Sequence, residues 1–192
     1  MLGLRMGGKT ILIPNPRDLP AVLKELSKHT FHSFPAVNTL FNGLANHPDF
    51  NTVNWSNLKV SLGGGTAVTP NVAKLWLEKT GCPICEGYGL SETSPIVTFN
   101  HIDAERLPGS IGQAIVGIEV AIMNEQGTPQ PPDTHGEIAV RGHNVMKAYY
   151  KRPEATEQPR HRQIGFTVAE IDRRIEDRRL ACSGRHAPVA TP

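Results

Sequence analysis

Residues 87–93 of the chain read Gly87-Tyr88-Gly89-Leu90-Ser91-Glu92-Thr93, which places an aromatic ring, two glycines, a hydroxyl and a carboxylate in one short run. Glycine lets the backbone approach a phosphate closely. A hydroxyl can donate a hydrogen bond, and a carboxylate can supply an oxygen ligand to a divalent cation. The run therefore predicts a loop that holds a purine nucleotide and a cation, with a plain glycine-rich turn as the alternative, because such short motifs are common.

The composition is that of a globular protein of about one domain. The chain has 192 residues, of which 39% are hydrophobic and 20% charged, with a formal net charge of +2. So small a charge gives no reason to expect nucleic-acid binding. No apolar run approaches the roughly 20 residues that a membrane span needs, and the first residues lack the features of a signal peptide. We therefore expect a cytoplasmic protein.

The cysteines allow two interpretations. Cys82-Pro83-Ile84-Cys85 forms a C-x-x-C pattern, which could be a redox pair or half of a zinc site. A zinc site would need two more ligands, and Cys182 is the only other thiol in the sequence. Because cysteine without a disulfide is usually a small buried side chain, we expect a buried strand here. A redox or metal protein is the alternative.

Short strands and helices alternate over residues 1–105, which we expect to form an α/β unit. Alternation of this kind predicts a partly parallel sheet covered by helices. Ligands in such sheets bind at the carboxyl ends of the strands, and the two glycine runs, 63–65 and 87–93, both follow predicted strands. The predicted strands are residues 10–13, 58–62 and 84–88, and the predicted helices are 19–28 with Asp18 as cap, 37–47, and 69–80 with Gly81 as terminator.

The rest of the sequence has a different texture. Residues 117–123 and 136–142 alternate with period two around a turn at 124–127, which predicts a β-rich subdomain over 106–157. From Pro159 onward there are seven arginines and no lysine, whereas the chain up to Gln158 has eight lysines and five arginines. For residues 158–192 we predict an aberrant or disordered arginine-rich tail. It could be an exposed charged helix with a disordered end, or the product of a shifted reading frame.

Six blocks of sequence, in order, resemble the AMP-forming acyl-CoA synthetases, and within them the long-chain fatty-acid–CoA ligases of the adenylate-forming superfamily. The blocks are residues 15–18, 37–42, 63–65, 86–95, 109–112 and 136–156. The resemblance covers about residues 7–156. It implies that the chain is an internal fragment with part of the large domain of the adenylate-forming fold.

The resemblance also implies a reaction, its cofactors and its partners. Such enzymes join a carboxylic acid to the α-phosphate of ATP with release of pyrophosphate, then transfer the acyl group to the thiol of coenzyme A. The implied partners are a fatty acid, ATP, Mg²⁺ and coenzyme A, with possible peripheral association at the inner face of a membrane. The alternatives are a ligase for another carboxylic acid and a non-catalytic remnant that binds nucleotide or acyl groups.

Site residues follow from the same resemblance. Glu92 would ligate Mg²⁺ and Ser91 would donate a hydrogen bond to phosphate, and these two are the predicted catalytic residues. Tyr88 would lie against the adenine. The remaining predicted nucleotide-binding positions are Gly64, Gly65, Glu86, Gly87, Gly89 and Leu90. The helix that begins near Val37 would flank the acyl pocket or simply pack in the core.

The sequence also departs from the family pattern. It contains no glycine- and threonine-rich phosphate loop ending in lysine, no Thr-Gly-Asp after Thr156, and no domain with the family's catalytic lysine. Each such group can be worth roughly 10²–10³ in rate. We therefore expect turnover near background for the chain alone.

Overall fold

A computed structural model describes residues 5, 7–101, 110–131, 134–160 and 167–169. The helices are α1 (Leu19–Leu26), α2 (Asn38–Ala45), α3 (Pro70–Thr80) and α4 (Pro153–Arg160), with short 3₁₀ helices at Pro48–Thr52 and Ser91–Thr93. The strands are β1 (Ser33–Ala36), β2 (Val60–Gly63), β3 (Ile84–Gly89), β4 (Ile96–Phe99), β5 (Gln113–Ala114), β6 (Ile118–Met123), β7 (Glu137–Gly142) and β8 (Thr167–Ala169).

The described strands form two sheets. The first has the order β1-β2-β3-β4-β5. Its first three strands are parallel, and β4 and β5 are added antiparallel. The second sheet, β6-β7-β8, is wholly antiparallel. The prediction of a partly parallel α/β sheet with a second, smaller β-rich part is therefore confirmed.

Aromatic rings fill the core between the parallel strands and helices α1 to α3. The Trp76 ring lies 4.8 Å from Phe41 and 5.8 Å from Phe34, centroid to centroid. Phe50 stacks on Trp55 at 4.8 Å. The only polar atom of the Trp76 side chain, Nε1, donates to Ser61 Oγ at 2.9 Å, so the indole is buried without an unsatisfied donor.

The helix ends follow the sequence signals. Asp18 accepts a hydrogen bond from the Ala21 amide at 3.1 Å, as an N-cap should. Gly81 closes α3 with φ of 68°, a left-handed conformation that glycine adopts without strain. Thr69 does not cap α3 with its own side chain; instead Asn38 Oδ1 accepts from the Thr69 amide at 2.9 Å and ties α2 to α3.

The Asp18 cap leads to a first prediction. Asp18→Ala should lower the free energy of unfolding by about 1 kcal/mol, because the Ala21 amide loses its acceptor. Asp18→Asn keeps a side-chain oxygen at the same place and should cost much less. Urea unfolding followed by circular dichroism measures both, and equal losses in the two variants would contradict the capping role.

Some elements differ from those predicted. Residues 10–13 form no strand, contrary to the prediction, and Leu12 is 81% exposed. Strands β1, β4 and β5 were not predicted. Each is short, and β1 contains Pro35, which cannot donate to a sheet ladder and is tolerated because β1 lies at the edge of the described sheet. β1 pairs with β2, a segment distant in sequence that local patterns do not connect with it, whereas β4 and β5 pair with strands close to them in the chain.

Both cysteines near β3 are buried, as the buried-strand interpretation requires. Cys85 lies within β3 and Cys82 shortly before it, at 1% and 3% exposure. The Ser61 hydroxyl lies 3.5 Å from Cys82 Sγ. Neither thiol is in a disulfide.

The predicted boundaries at residues 105 and 157 stay predictions. Strand β5 lies beyond residue 105 yet pairs with β4 of the first sheet. Of the predicted tail, residues 158–160 continue α4 and 167–169 pair with β7, and the remaining tail positions fall outside the described residues. The longest described helix has 11 residues, and the described ranges contain no helix that could span a bilayer.

Candidate functional site

The carboxyl ends of the parallel strands bring the two glycine runs together. A Cβ added at Gly64, which directly follows β2, would lie 3.8 Å from the carbonyl oxygen of Gly87 in β3. One added at Gly65 would lie 3.5 Å from Val37 Cγ1, at the end of β1. Residues from three neighbouring strand ends thus meet where a parallel sheet binds its ligands.

The glycines of β3 are also required by packing against β4. A Cβ at Gly89 would lie only 1.6 Å from the carbonyl oxygen of Pro95, and one at Gly87 would lie 2.6 Å from Phe99 Cδ2. The pairing register shifts between Tyr88 and Gly89, which brings the two strands' backbones together there. The predicted nucleotide-binding role of Gly87 and Gly89 stays a prediction, beside this steric role that the sequence did not indicate.

The loop after β3 is held in shape by a buried hydroxyl. Thr93 is fully buried, and its Oγ1 accepts from the Leu90 amide at 2.9 Å. The same oxygen lies 3.0 Å from the carbonyl oxygens of Leu90 and Pro95. This closes the 3₁₀ turn over Ser91–Thr93. The Ser91 and Glu92 side chains therefore lie on a turn that is closed by hydrogen bonds.

Glu92 is the polar centre of the candidate site. The Tyr149 phenol donates to Glu92 Oε1 at 2.5 Å, and the Met146 amide donates to the Glu92 carbonyl oxygen at 2.8 Å. The hydrogen bond from Tyr149, helped by the backbone amide of Glu92 itself, holds the pKa of this carboxyl below its ordinary value. The same bond raises the pKa of the Tyr149 phenol. Glu92 is therefore an anion and Tyr149 a neutral donor at neutral pH.

A second side chain joins the Glu92 turn to the connection between β7 and α4. Asn144 Nδ2 donates to the Thr93 carbonyl oxygen at 2.6 Å and to that of Ile96 at 3.1 Å. Neither Asn144 nor Tyr149 was predicted as a site residue. Tyr149 does fall in one of the six sequence blocks, but nothing in the sequence shows that this block contacts Glu92.

Tyr88 and Glu86 are both partly buried, but their side chains have different surroundings. The Tyr88 ring packs beside Val97 and Ile118 in the smaller core, and its hydroxyl is buried with no hydrogen-bond partner among the described residues. Burial, and to a lesser degree the charge of Glu92, raises the pKa of the Tyr88 phenol. Glu86 Oε2 accepts from the Val68 amide at 3.0 Å, which braces the segment after the glycine run 63–65.

The donor set fits a cation bound mainly through a nucleotide. Mg²⁺ is commonly held by one or two carboxylates together with substrate phosphates and waters. Glu92 is one anionic carboxylate, and the described residues contain no cluster of three or more histidine, cysteine or acidic side chains that could hold a metal ion without a substrate. Ser91 is exposed on the same turn, and its hydroxyl makes no hydrogen bond within the described residues, so it can donate to a phosphate.

The chain is similar to known proteins both in sequence and in fold. A long-chain-fatty-acid–CoA ligase of Escherichia coli is 40% identical over 158 residues, which are 82% of this chain and 28% of that protein. The crystal structure of ATP-bound MatB from Rhodopseudomonas palustris matches with a TM-score of 0.77 and 28% identity, over 90% of this chain and 34% of MatB. An anthranilate CoA ligase, AuaEII, shares the fold at a TM-score of 0.78 and 24% identity, over 84% of this chain and 31% of its own.

The chain thus spans less than a third of the length of the curated ligases that it resembles. Residues 1–150 match the family described as AMP-binding enzyme. That match includes both glycine runs and the Glu92 turn. Together with the partly parallel sheet, it shows that the chain belongs to the AMP-binding enzyme family.

Proposed function

We propose that the chain supplies the nucleotide- and cation-binding part of an ATP-dependent, AMP-forming long-chain fatty-acid–CoA ligase. In this reaction a carboxylate oxygen bonds to the α-phosphorus of ATP and pyrophosphate leaves. The thiol of coenzyme A then takes the acyl group and AMP leaves. The observation that carries the proposal is the Glu92 carboxylate on the hydrogen-bonded turn that directly follows β3, the strand whose Gly87 faces Gly64.

Each predicted residue then has a definite task. Glu92 would hold Mg²⁺, which when bound neutralises charge on the phosphates. Ser91 would donate to a phosphate oxygen. The backbone at Gly64 and Gly65 on one side and at residues 86–90 on the other would enclose the nucleoside, with Tyr88 on the adenine side. The name of the Escherichia coli relative supports a fatty acid as substrate, and the ATP in the MatB structure supports the nucleotide.

The acid and the cellular location form the second part of the proposal. The shared fold of an anthranilate ligase indicates that architecture alone does not select the acid. We propose a long-chain acid, a cytoplasmic location and peripheral binding to the inner face of a membrane. The dissociation constants of the palmitoyl and benzoyl sulfamoyl-adenosines distinguish the acid classes, and the palmitoyl compound should bind more tightly. Sedimentation of the chain with phospholipid vesicles tests the membrane binding.

The central test is nucleotide binding by the chain. Titration calorimetry with α,β-methylene-ATP, whose α–β bridge cannot be cleaved, should show binding that is tighter in Mg²⁺ than in EDTA. Because Mg²⁺ links Glu92 to the phosphates in the proposed site, the ratio of the two dissociation constants measures its contribution. Binding without any dependence on Mg²⁺ would contradict the assignment of Glu92, and no binding would contradict the proposed function as a whole.

A further inference from the structure

Three side-chain or backbone donors from one segment hold the Glu92 turn. The β7–α4 connection, residues 143–152, contributes Asn144, Met146 and Tyr149, which are about 50 residues from the turn in sequence. Two of them bind the backbone of the turn. The third, Tyr149, donates to the Glu92 carboxylate. The segment therefore fixes both the loop and its charged side chain.

Tyr149 is itself fixed from the far side. Its amide donates to Thr156 Oγ1 at 2.9 Å, and that hydroxyl donates to the Arg152 carbonyl oxygen at 2.9 Å. Thr156 is buried in the first turns of α4. The Arg152 amide closes a turn onto the Tyr149 carbonyl oxygen at 3.2 Å, with Lys151 at a φ of 54°. The Tyr149 backbone is therefore held by the start of α4, which aims its ring at Glu92.

The chemistry of the donor matters as much as its place. A lysine or arginine at this position would bind the carboxylate tightly but would also cancel its charge. A neutral phenol restricts the rotation of a flexible glutamate side chain and leaves the full negative charge in place. We propose that Tyr149 is a positioning residue, which orients the Glu92 carboxylate for a divalent cation without neutralising it. This inference rests on the proposed function.

The test uses Tyr149→Phe, which removes the hydroxyl and keeps the ring. Tyr150→Phe is the matched control, because Tyr150 is the next residue, is 85% exposed and carries the same group. The dissociation constant of α,β-methylene-ATP is measured in Mg²⁺ and in EDTA for both variants and the wild type. Their ratio reports the cation, whereas the value in EDTA reports the rest of the site.

We expect Tyr149→Phe to lower the Mg²⁺-dependent ratio by about tenfold, since partners that orient a metal ligand are worth roughly 10–100-fold in metal affinity. Its dissociation constant in EDTA should equal that of the wild type, and Tyr150→Phe should change neither value. An unchanged ratio in Tyr149→Phe overturns the inference. This includes the case in which both dissociation constants rise by the same factor, because the hydroxyl would then only support the fold.

The result separates this inference from the proposed function. If the wild type binds nucleotide more tightly in Mg²⁺ and Tyr149→Phe has the same ratio as the wild type, only the role of Tyr149 is contradicted. A wild type without Mg²⁺ dependence removes both the assignment of Glu92 and the inference built on it. Thermal unfolding of both variants, compared with the wild type, shows whether a changed ratio accompanies a loss of fold.

Discussion

Replacing Glu92 by glutamine should remove the Mg²⁺-dependent part of nucleotide binding, a loss of about 100-fold in the ratio of dissociation constants between EDTA and Mg²⁺. Removing a partner that orients a metal ligand lowers metal affinity by roughly 10–100-fold. Removing the ligand itself should lower it by at least the larger of these factors. The amide oxygen of glutamine can still accept from the Tyr149 phenol, as Glu92 Oε1 does at 2.5 Å. The substitution therefore removes the charge and keeps the contact.

A suitable control is Glu78→Gln. Glu78 lies on the exposed side of α3, where its nearest cation, Lys74, is 3.9 Å away. The change in net charge equals that of Glu92→Gln, so any general effect of charge on binding an anionic nucleotide appears in both variants. A ratio that stays at the wild-type value in Glu92→Gln would show that another group binds the cation.

The same pair of residues allows a double-mutant cycle. If Tyr149 acts only through the Glu92 charge, adding Tyr149→Phe to Glu92→Gln should change the Mg²⁺-dependent ratio no further. Independent contributions would instead multiply. Non-additivity is expected because the phenol touches the carboxylate itself, and the rest of Tyr149 is held by Thr156 whether or not the hydroxyl is present.

Local signals in the sequence predicted much of the α/β part. The acceptor at Asp18, the left-handed Gly81 and the apolar spacing that buries Val72 and Trp76 all act within a few residues, so they can be recognised without the fold. The strands around the glycine loops were found for the same reason. The order of the six sequence blocks that resemble the family then predicted which α/β fold the chain adopts. The spacing of apolar residues alone would not have distinguished it from other α/β folds.

Contacts between distant segments could not be predicted in the same way. Strand β1 has only four residues, one of them Pro35, and it pairs with β2, which begins at Val60. The hydrogen bond between Tyr149 and Glu92 joins residues 57 positions apart. The sequence motif predicted Glu92 as a site residue but had no means of finding its hydrogen-bond partner, because that partner lies on the connection between β7 and α4.

The glycines show a similar division between what a motif indicates and what packing requires. A glycine-rich run suggests room for a ligand, and Gly64 fits this interpretation, since a Cβ there would meet its nearest neighbour at an ordinary 3.8 Å. Gly89 does not depend on a ligand at all. Its missing side chain lets the backbone of residues 95 and 96 cross directly beside β3, which folds the loop back over the strand.

Gly89→Ala should therefore be the most destabilising single substitution near the site. An added Cβ would lie 1.6 Å from the Pro95 carbonyl oxygen and 3.0 Å from Ile96 Cα, and both are backbone atoms that cannot rotate away. Strands β3 and β4 would have to separate, which breaks the pairing that carries Glu92. We expect a loss of about 4 kcal/mol or more, a large share of the roughly 5–15 kcal/mol that keeps a domain folded.

Gly64→Ala is the matched control, because it makes the same chemical change in the neighbouring glycine run. With ordinary clearance around the added methyl group, it should change the free energy of unfolding by less than about 1 kcal/mol. Urea unfolding of both variants, followed by circular dichroism, measures the difference, and an unfolded Gly89→Ala chain counts as the expected result. Similar free energies of unfolding for the two variants would show that the close approach of the residue 95–96 backbone to Gly89 does not require glycine there. The turn that presents Glu92 would then owe its shape to the Thr93 hydroxyl and the β7–α4 connection alone.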